Sequence, residues 1–177
     1  MGEIYVGVKF EVVHGPEEVI RDVRIAELIQ IGKALAAKGF CPENSGNLSC
    51  RVPQGFVITS AGSHLGALTT SNFVLVRDVD IVTKKVFCAG KAQPSSEAMM
   101  HKMIYDARSD AQVILHAHAL DLKQAVTTQK EFPYGTLEFA ASAVAVLKGH
   151  DLAILKNHGF VSLGKTVLEA YERLALS

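Results

Sequence analysis

The sequence predicts one α/β domain in which helices flank and interrupt a mostly antiparallel set of strands. Three observations carry this. The 177 residues are about one domain's worth of chain. Apolar residues switch along the chain between a spacing of two and a spacing of three or four. Short apolar runs separated by turn residues follow one another through the middle of the sequence, as in a meander. No stretch repeats another at a fixed period, which excludes a solenoid.

Taken in order, residues 4 to 12 alternate, with Ile4, Val6, Val8, Phe10 and Val12 on one side, as in a strand buried on one face and ended by His14-Gly15-Pro16. From Glu17 to Lys38, Ile20, Val23, Leu28, Ile31 and Leu35 recur at three or four with one five-residue step. Gly39 stands where a helix-ending glycine belongs, so this segment reads as an amphipathic helix. A polar loop, Pro42 to Asn47, leads to strands at Leu48–Val52, Phe56–Thr59, Phe73–Val76 and Val86–Ala89. Ser95 or Ser96 caps a helix running to about Arg108. Val113–His118 reads as a strand, Leu120–Thr127 as a helix and Thr136–Leu147 as a capped helix closed by Gly149. A strand at Leu152–Lys156, another at Phe160–Leu163 and a last helix from Thr166 complete the chain. Residues 1–16 are expected as an N-terminal strand appendage and 17–177 as the domain proper.

Composition narrows the function classes. Hydrophobic residues at 49% against 20% charged fill a core of this size, which excludes disorder. Eighteen basic and eighteen acidic residues cancel, so no general field is available to hold nucleic acid or an anionic membrane, and an anionic ligand needs a local site. Phe139 to Leu147, the longest apolar run, is about half of what crosses a bilayer. Cys41, Cys50 and Cys88 are odd in number and form no C-x-x-C, and no signal peptide pattern precedes them, so a reducing cytoplasm is expected.

Chemistry concentrates on histidine. In His116-Ala117-His118 two rings stand two residues apart at a strand end, so both project from one face, as a pair sharing a metal ion would. By themselves they serve equally as hydrogen-bonded strand-face residues. His158 follows another apolar strand in Asn157-His158-Gly159, where Gly159 would allow a sharp turn aiming the ring inward. Three imidazoles at two strand ends suit an open zinc site, and nickel, cobalt or manganese accept the same donors. His101 lies one helical turn after Glu97 and, like His14, His64 and His150, reads as a packing or hydrogen-bonding residue. Glu97 alone reads as a first-turn acid favourable to the helix dipole. Gly46 and Gly62 offer close backbone approach, and Asn47, Ser95 and Ser96 offer side-chain donors near a helix N-terminus, although ordinary turn chemistry uses the same residues.

Four motifs, Ser45-Gly46-Asn47-Leu48-Ser49, Ile58-Thr59-Ser60-Ala61-Gly62, Pro94-Ser95-Ser96-Glu97 and Asn157-His158-Gly159, occur in that order around His116-Ala117-His118. Together they resemble the class II aldolase/adducin family from about Val23 to the C-terminus. The resemblance implies a three-layer fold with the sheet between helices, a homotetramer with sites near subunit interfaces, and zinc on His116, His118 and His158. It implies Glu97 as acid/base, since glutamate rather than aspartate after Pro-Ser-Ser follows the aldolases rather than the epimerases. It implies phosphate contacts from Gly46, Asn47, Gly62, Ser95 and Ser96. The expected activity is cleavage of a small ketose phosphate. An epimerase, dehydratase or decarboxylase on the same scaffold, and a noncatalytic adducin-like module, stand beside it.

Two departures qualify the phosphate site: Ala61 stands where relatives carry Ser or Thr, and Gln93 where many carry Lys. Residues 119–133 carry no tyrosine to serve as the acid for the departing aldehyde, and Tyr134 is the candidate for such a role in a neighbouring subunit's site. Gly159 to Thr166 also fits the G-x-x-x-x-G-K-[ST] phosphate-loop pattern. Only eleven residues follow Thr166, too few for the strand carrying a magnesium-binding acid, so nucleotide binding is disfavoured.

Overall fold

A computed structural model describes residues 9–119, 121–122 and 125–175. Nine strands form one sheet: β1 (Glu11–Gly15), β2 (Asn47–Val52), β3 (Gly55–Thr59), β4 (Phe73–Asp80), β5 (Lys85–Ala89), β6 (Val113–Ala117), β7 (Val126–Thr127), β8 (Leu152–Leu155) and β9 (Gly159–Gly164). Their spatial order is β1-β5-β4-β3-β2-β6-β9-β8-β7. The pairings β1–β5 and β7–β8 are parallel and the rest antiparallel. The helices are α1 (Arg24–Ala37), α2 (Ala98–Ala107), α3 (Leu137–Leu147) and α4 (Val167–Ala175).

Side-chain alternation divides the interior into two cores. Leu48 and Cys50 of β2, Val57 of β3, and Val113 and Leu115 of β6 pack with Ile25, Leu28 and Leu35 of α1 and with Val167, Ala170 and Leu174 of α4. Phe56 and Ile58 of β3, Ile114 of β6, and Val161 and Leu163 of β9 face the other way, against Ala98, Met99 and Ile104 of α2 and Phe139, Ala143 and Leu147 of α3. The result is helices, sheet, helices, the three-layer arrangement expected. Every strand-facing position between these apolar residues on the α2–α3 side is therefore buried under that helical layer. Asn47, Ser49 and His116 are such positions.

Several boundaries differ from the sequence reading. Residues 4–8 lie outside the described residues. His14 and Gly15 do not end the first strand but belong to β1, which pairs with β5 as an edge of the main sheet. Val12 and Val13 are both half-buried, so the one-faced alternation does not persist here. The long helix begins at Arg24 rather than Glu17, because the Asp22 carboxylate accepts the Arg24 backbone N–H at 2.9 Å and starts the helix there. Its end is as expected: Gly39 adopts φ +75°, its N–H donates to Ala36 and that of Phe40 donates to Leu35. The helix expected over Leu120–Thr127 is not formed where it is described. Ala125 closes a turn onto Leu122, and the β-branched Val126 and Thr127 pair with Ala153 and Ile154. Leu120, Lys123 and Gln124 lie outside the described residues. Thr136 caps α3 by accepting the Phe139 N–H at 3.2 Å, as expected.

The helical layer over the site is fastened at its far end. Arg108, just beyond α2, donates to the carbonyls of Leu147 at 2.5 Å and His150 at 3.1 Å, capping α3, and its other nitrogens reach Asp110 and Asp151. Gly159–Gly164, the heart of the phosphate-loop pattern, is a buried extended strand, so no loop is left there to wrap a phosphate.

Candidate metal centre and proton-transfer site

The site forms where β2, β6 and β9 meet the N-terminal ends of α2 and α3. His116 continues the Ile114 side of β6, and His118 lies two residues on, so both rings emerge under the helical layer. Gly159 brings the third histidine alongside. The turn before it is made by Asn157, whose φ is +60°, and not by Gly159 as the sequence suggested. Gly159 is needed for a different reason: a Cβ there would lie 2.3 Å from the Ala117 carbonyl oxygen. Only glycine lets the two backbones come this close.

The outcome is a cluster in which one ring nitrogen each of His116, His118 and His158 lies within 4.8 Å of the others. The ring centroids are 5.2 Å apart for His116 and His118, 5.1 Å for His116 and His158, and 4.5 Å for His118 and His158. His116 Nδ1–H donates to the Phe160 carbonyl at 2.6 Å, which puts the lone pair on Nε2. That Nε2 is buried and has no hydrogen-bond partner. Burial lowers the His116 pKa, with Glu97 opposing, and burial beside His116 and His158 holds His118 down to about 3. Three clustered imidazoles, one of them with a buried Nε2 that makes no hydrogen bond, fit a divalent metal ion of the zinc type.

Glu97 is the N-cap residue of α2 and is buried. Its Oε1 lies 3.0 Å from His158 Nε2 and its Oε2 3.2 Å from His116 Nε2. Burial alone would raise its pKa, but His116, His158 and the Asn47 amide outweigh burial and hold the carboxyl well below the usual carboxylate range. Ser95 and Ser96 do not cap α2 itself. Ser95 Oγ instead accepts the Glu97 N–H at 3.3 Å, while both serines are buried just ahead of the helix.

Asn47 stands directly across the β2–β6 pairing from His116. Gly46, at φ +84°, permits this approach, since a Cβ there would lie 2.7 Å from the His116 carbonyl oxygen. The Asn47 side chain is already engaged: Nδ2 donates to Glu97 Oε2 at 2.5 Å. Gly62 follows a backbone bridge in which Ala61 N–H donates to Gln93 O at 2.9 Å and Ser95 N–H to Thr59 O at 3.0 Å. The two departures from the family pattern, Ala61 and Gln93, are thus neighbours across one bridge. Tyr134 is buried within its own chain, its ring 6.4 Å from that of His158. The Lys9 ammonium sits 4.1 Å over the Tyr134 ring and donates to its carbonyl at 2.5 Å.

Sequence reasoning missed two members of this neighbourhood. Ser45 Oγ is buried without a hydrogen-bond partner. Ser49 Oγ lies 2.7 Å from His101 Nδ1 and 2.8 Å from the Tyr105 hydroxyl. The available signal was a polar alternation, Asn47 and Ser49, facing Glu97, His101 and Tyr105 at successive four-residue steps of α2. His101 is a hydrogen-bonding residue as read, and burial lowers it to about 3, so it is neutral.

A three-layer α/β domain with three convergent histidines beside a buried carboxylate is the architecture of a metal-dependent enzyme class. The chain belongs to the class II aldolase and adducin N-terminal domain family, whose pattern it matches over residues 26–131 and 119–176. It is similar to the L-fuculose phosphate aldolase of Methanococcus maripaludis strain S2, with 32% identity over 167 residues that cover 83% of this chain and 88% of that one. It is also similar to the methylthioribulose-1-phosphate dehydratase of Pseudoalteromonas translucida, 35% identical over 96 residues covering 54% of this chain and 43% of that one. Among solved structures, an L-fuculose 1-phosphate aldolase superposes with a TM-score of 0.74 at 26% identity, covering 88% of this chain and 82% of that one.

Proposed function

We propose that this chain is a zinc-dependent aldehyde-lyase that cleaves a small ketose phosphate such as L-fuculose 1-phosphate. The observation that carries the reading is the Glu97 carboxylate held within 3.2 Å of two of the three clustered histidines. His116, His118 and His158 would hold the ion. When bound, it would polarise the ketone oxygen and offset the charge that builds as the adjacent carbon exchanges its proton.

The protein's own groups do the rest. Glu97, ionised and shielded from water, is poised to take a proton from the carbon next to the ketone or to return one to it. In cleavage Glu97 takes the proton of the hydroxyl on the far carbon, and the carbon–carbon bond between that carbon and the one next to the ketone breaks with its electron pair left on the ketone half. The far carbon departs as an aldehyde, and Glu97 returns the proton to the carbon that lost the group. Gly46, Gly62, Ser95 and Ser96 near the N-terminal end of α2 are suited to the phosphate, and the unsatisfied Ser45 hydroxyl supports a polar ligand at this end of β2. The assembly proposed is a homotetramer working in the cytoplasm. Among the described residues no helix is long and apolar enough to cross a membrane.

The similarity to a methylthioribulose-1-phosphate dehydratase favours one second reading. Abstraction by Glu97 from the carbon next to the ketone would then leave an electron pair that expels hydroxide from the next carbon. Zinc-loaded protein incubated with L-fuculose 1-phosphate and, separately, with 5-methylthioribulose 1-phosphate distinguishes them. Release of dihydroxyacetone phosphate with an aldehyde from the first supports the lyase, and loss of water from the second supports the dehydratase. No reaction with either in zinc-loaded protein would overturn both.

A further inference from the structure

Five buried side chains form one unbroken line behind the carboxylate. Glu97 Oε2 meets Asn47 Nδ2 at 2.5 Å, Asn47 Oδ1 meets His101 Nε2 at 2.6 Å, His101 Nδ1 meets Ser49 Oγ at 2.7 Å, and Ser49 Oγ meets the Tyr105 hydroxyl at 2.8 Å. None of the five is more than 5% exposed. We propose that His101 is a positioning residue for Glu97, setting the direction of the Asn47 amide and with it the orientation of the carboxylate. The proposal rests on Glu97 being the proton-transfer group.

Donors and acceptors along the line fix the direction of each bond. An ionised carboxylate only accepts, so the Asn47 group facing Glu97 must be its NH2. The Asn47 oxygen then faces His101 and needs a donor, which Nε2–H supplies. A neutral ring carrying its proton on Nε2 has an acceptor at Nδ1, so Ser49 donates there and accepts from the Tyr105 phenol. Every bond points the same way, from Tyr105 toward Glu97, and such a line strengthens each of its members. The opposite tautomer would leave His101 Nε2 and Asn47 Oδ1 as two acceptors 2.6 Å apart. Rotating the amide to relieve that would aim a carbonyl oxygen at the carboxylate. Asn47 thus holds Oε2, which also lies 3.2 Å from His116 Nε2, and leaves Oε1 beside His158.

The test joins a spectroscopic reading to a kinetic one. Ring-nitrogen NMR of histidine-labelled protein, metal-free and zinc-loaded, with His101 assigned from His101→Gln, should show a neutral ring protonated at Nε2. A proton on Nδ1 would overturn the proposal. His101→Leu should keep its zinc and lower the rate of solvent deuterium exchange into dihydroxyacetone phosphate by about 10- to 100-fold through kcat, with KM little changed, as for a lost charge-linked hydrogen bond. His101→Gln, whose amide places an N–H near the Nε2 position, should recover most of that loss. Unchanged kcat in His101→Leu, or equal loss in both variants, counts against the positioning role. Absence of exchange in wild-type, zinc-loaded protein would count against the proton-transfer reading instead, and the ring-nitrogen result would still decide the direction of the line.

Discussion

Replacing Gly159 by alanine should cripple the histidine cluster although all three histidines are kept. The added Cβ would lie 2.3 Å from the Ala117 carbonyl oxygen and 3.0 Å from both the Ala117 carbonyl carbon and His118 Cα. Comfortable contact requires more than 3 Å, so β9 and β6 would have to separate by about 1 Å at this point. Both contacting partners are backbone, which cannot swing away as a side-chain tip can, so the cost belongs at the upper end of overpacking, about 3 kcal/mol. For a chain of this size that corresponds to a fall in Tm of about 6–12 °C. The same displacement moves His158 relative to His116 and His118, whereas metal–nitrogen distances tolerate changes of only about 0.2 Å. Zinc affinity, measured by competition with a chromophoric chelator, should therefore fall at least about 10- to 100-fold. Gly149→Ala is the control, since nothing lies within 4 Å of its added Cβ and stability should stay level or rise slightly. Wild-type zinc affinity and Tm in Gly159→Ala would refute the close-approach argument.

His116→Ala, His118→Ala and His158→Ala should each remove most bound zinc, measured by elemental analysis of purified protein, and full occupancy in any one would exclude that residue as a ligand. Glu97→Gln should retain the metal while turnover falls about 10²- to 10⁴-fold, and unchanged turnover would move the proton transfer elsewhere. Metal-free protein should lose stability on acidification. His101 and His118 are held at about 3, below the unfolded value of 6.5, so the unfolded chain binds more protons through that interval. Urea melts should show full stability above pH 6.5 and a loss of up to about 1.4 kcal/mol per pH unit per histidine below it, and a flat profile from pH 6.5 to 4 would contradict the burial of these rings. Lys165→Ala should leave behaviour toward ATP unchanged, because the preceding residues are a strand, and ATP hydrolysis abolished by this variant would restore the phosphate-loop reading.

Much of the fold was legible because the core strands carry period-two patterns and the helices carry glycine and threonine at their ends. Leu48–Val52 and Thr136–Leu147 fell within one residue of the observed elements for that reason. The elements misread were those governed by partners distant in sequence. β7 is two residues long and exists only because β8 pairs with it, and Glu17–Arg21 stays out of the helix because Asp22 begins it later. At the site, His116 and His118 were visible through strand geometry and His158 through the apolar strand before it and the glycine after it, and the family resemblance supplied the acid/base role of Glu97. The roles of Asn157 and Gly159 were exchanged, since a positive φ and a close approach both favour small residues and sequence does not separate them. The line from Tyr105 to Glu97 was hidden because its members come from a strand and a helix some fifty residues apart.

Arg108 gives the helical layer a mechanical polarity. α2 and α3 both run away from the histidines, and the guanidinium that caps α3 and pairs with Asp151 ties them down at the end remote from the site. α2 is also held at its other end, where Glu97 and His101 are bonded to Asn47 and Ser49 of β2, so the end of the layer free to open is that of α3, around Thr136. Amide hydrogen exchange should show protection rising along α3 from Thr136 to Leu147 and staying level along α2. Cutting the clamp with Arg108→Met should flatten the gradient along α3 and leave α2 protected.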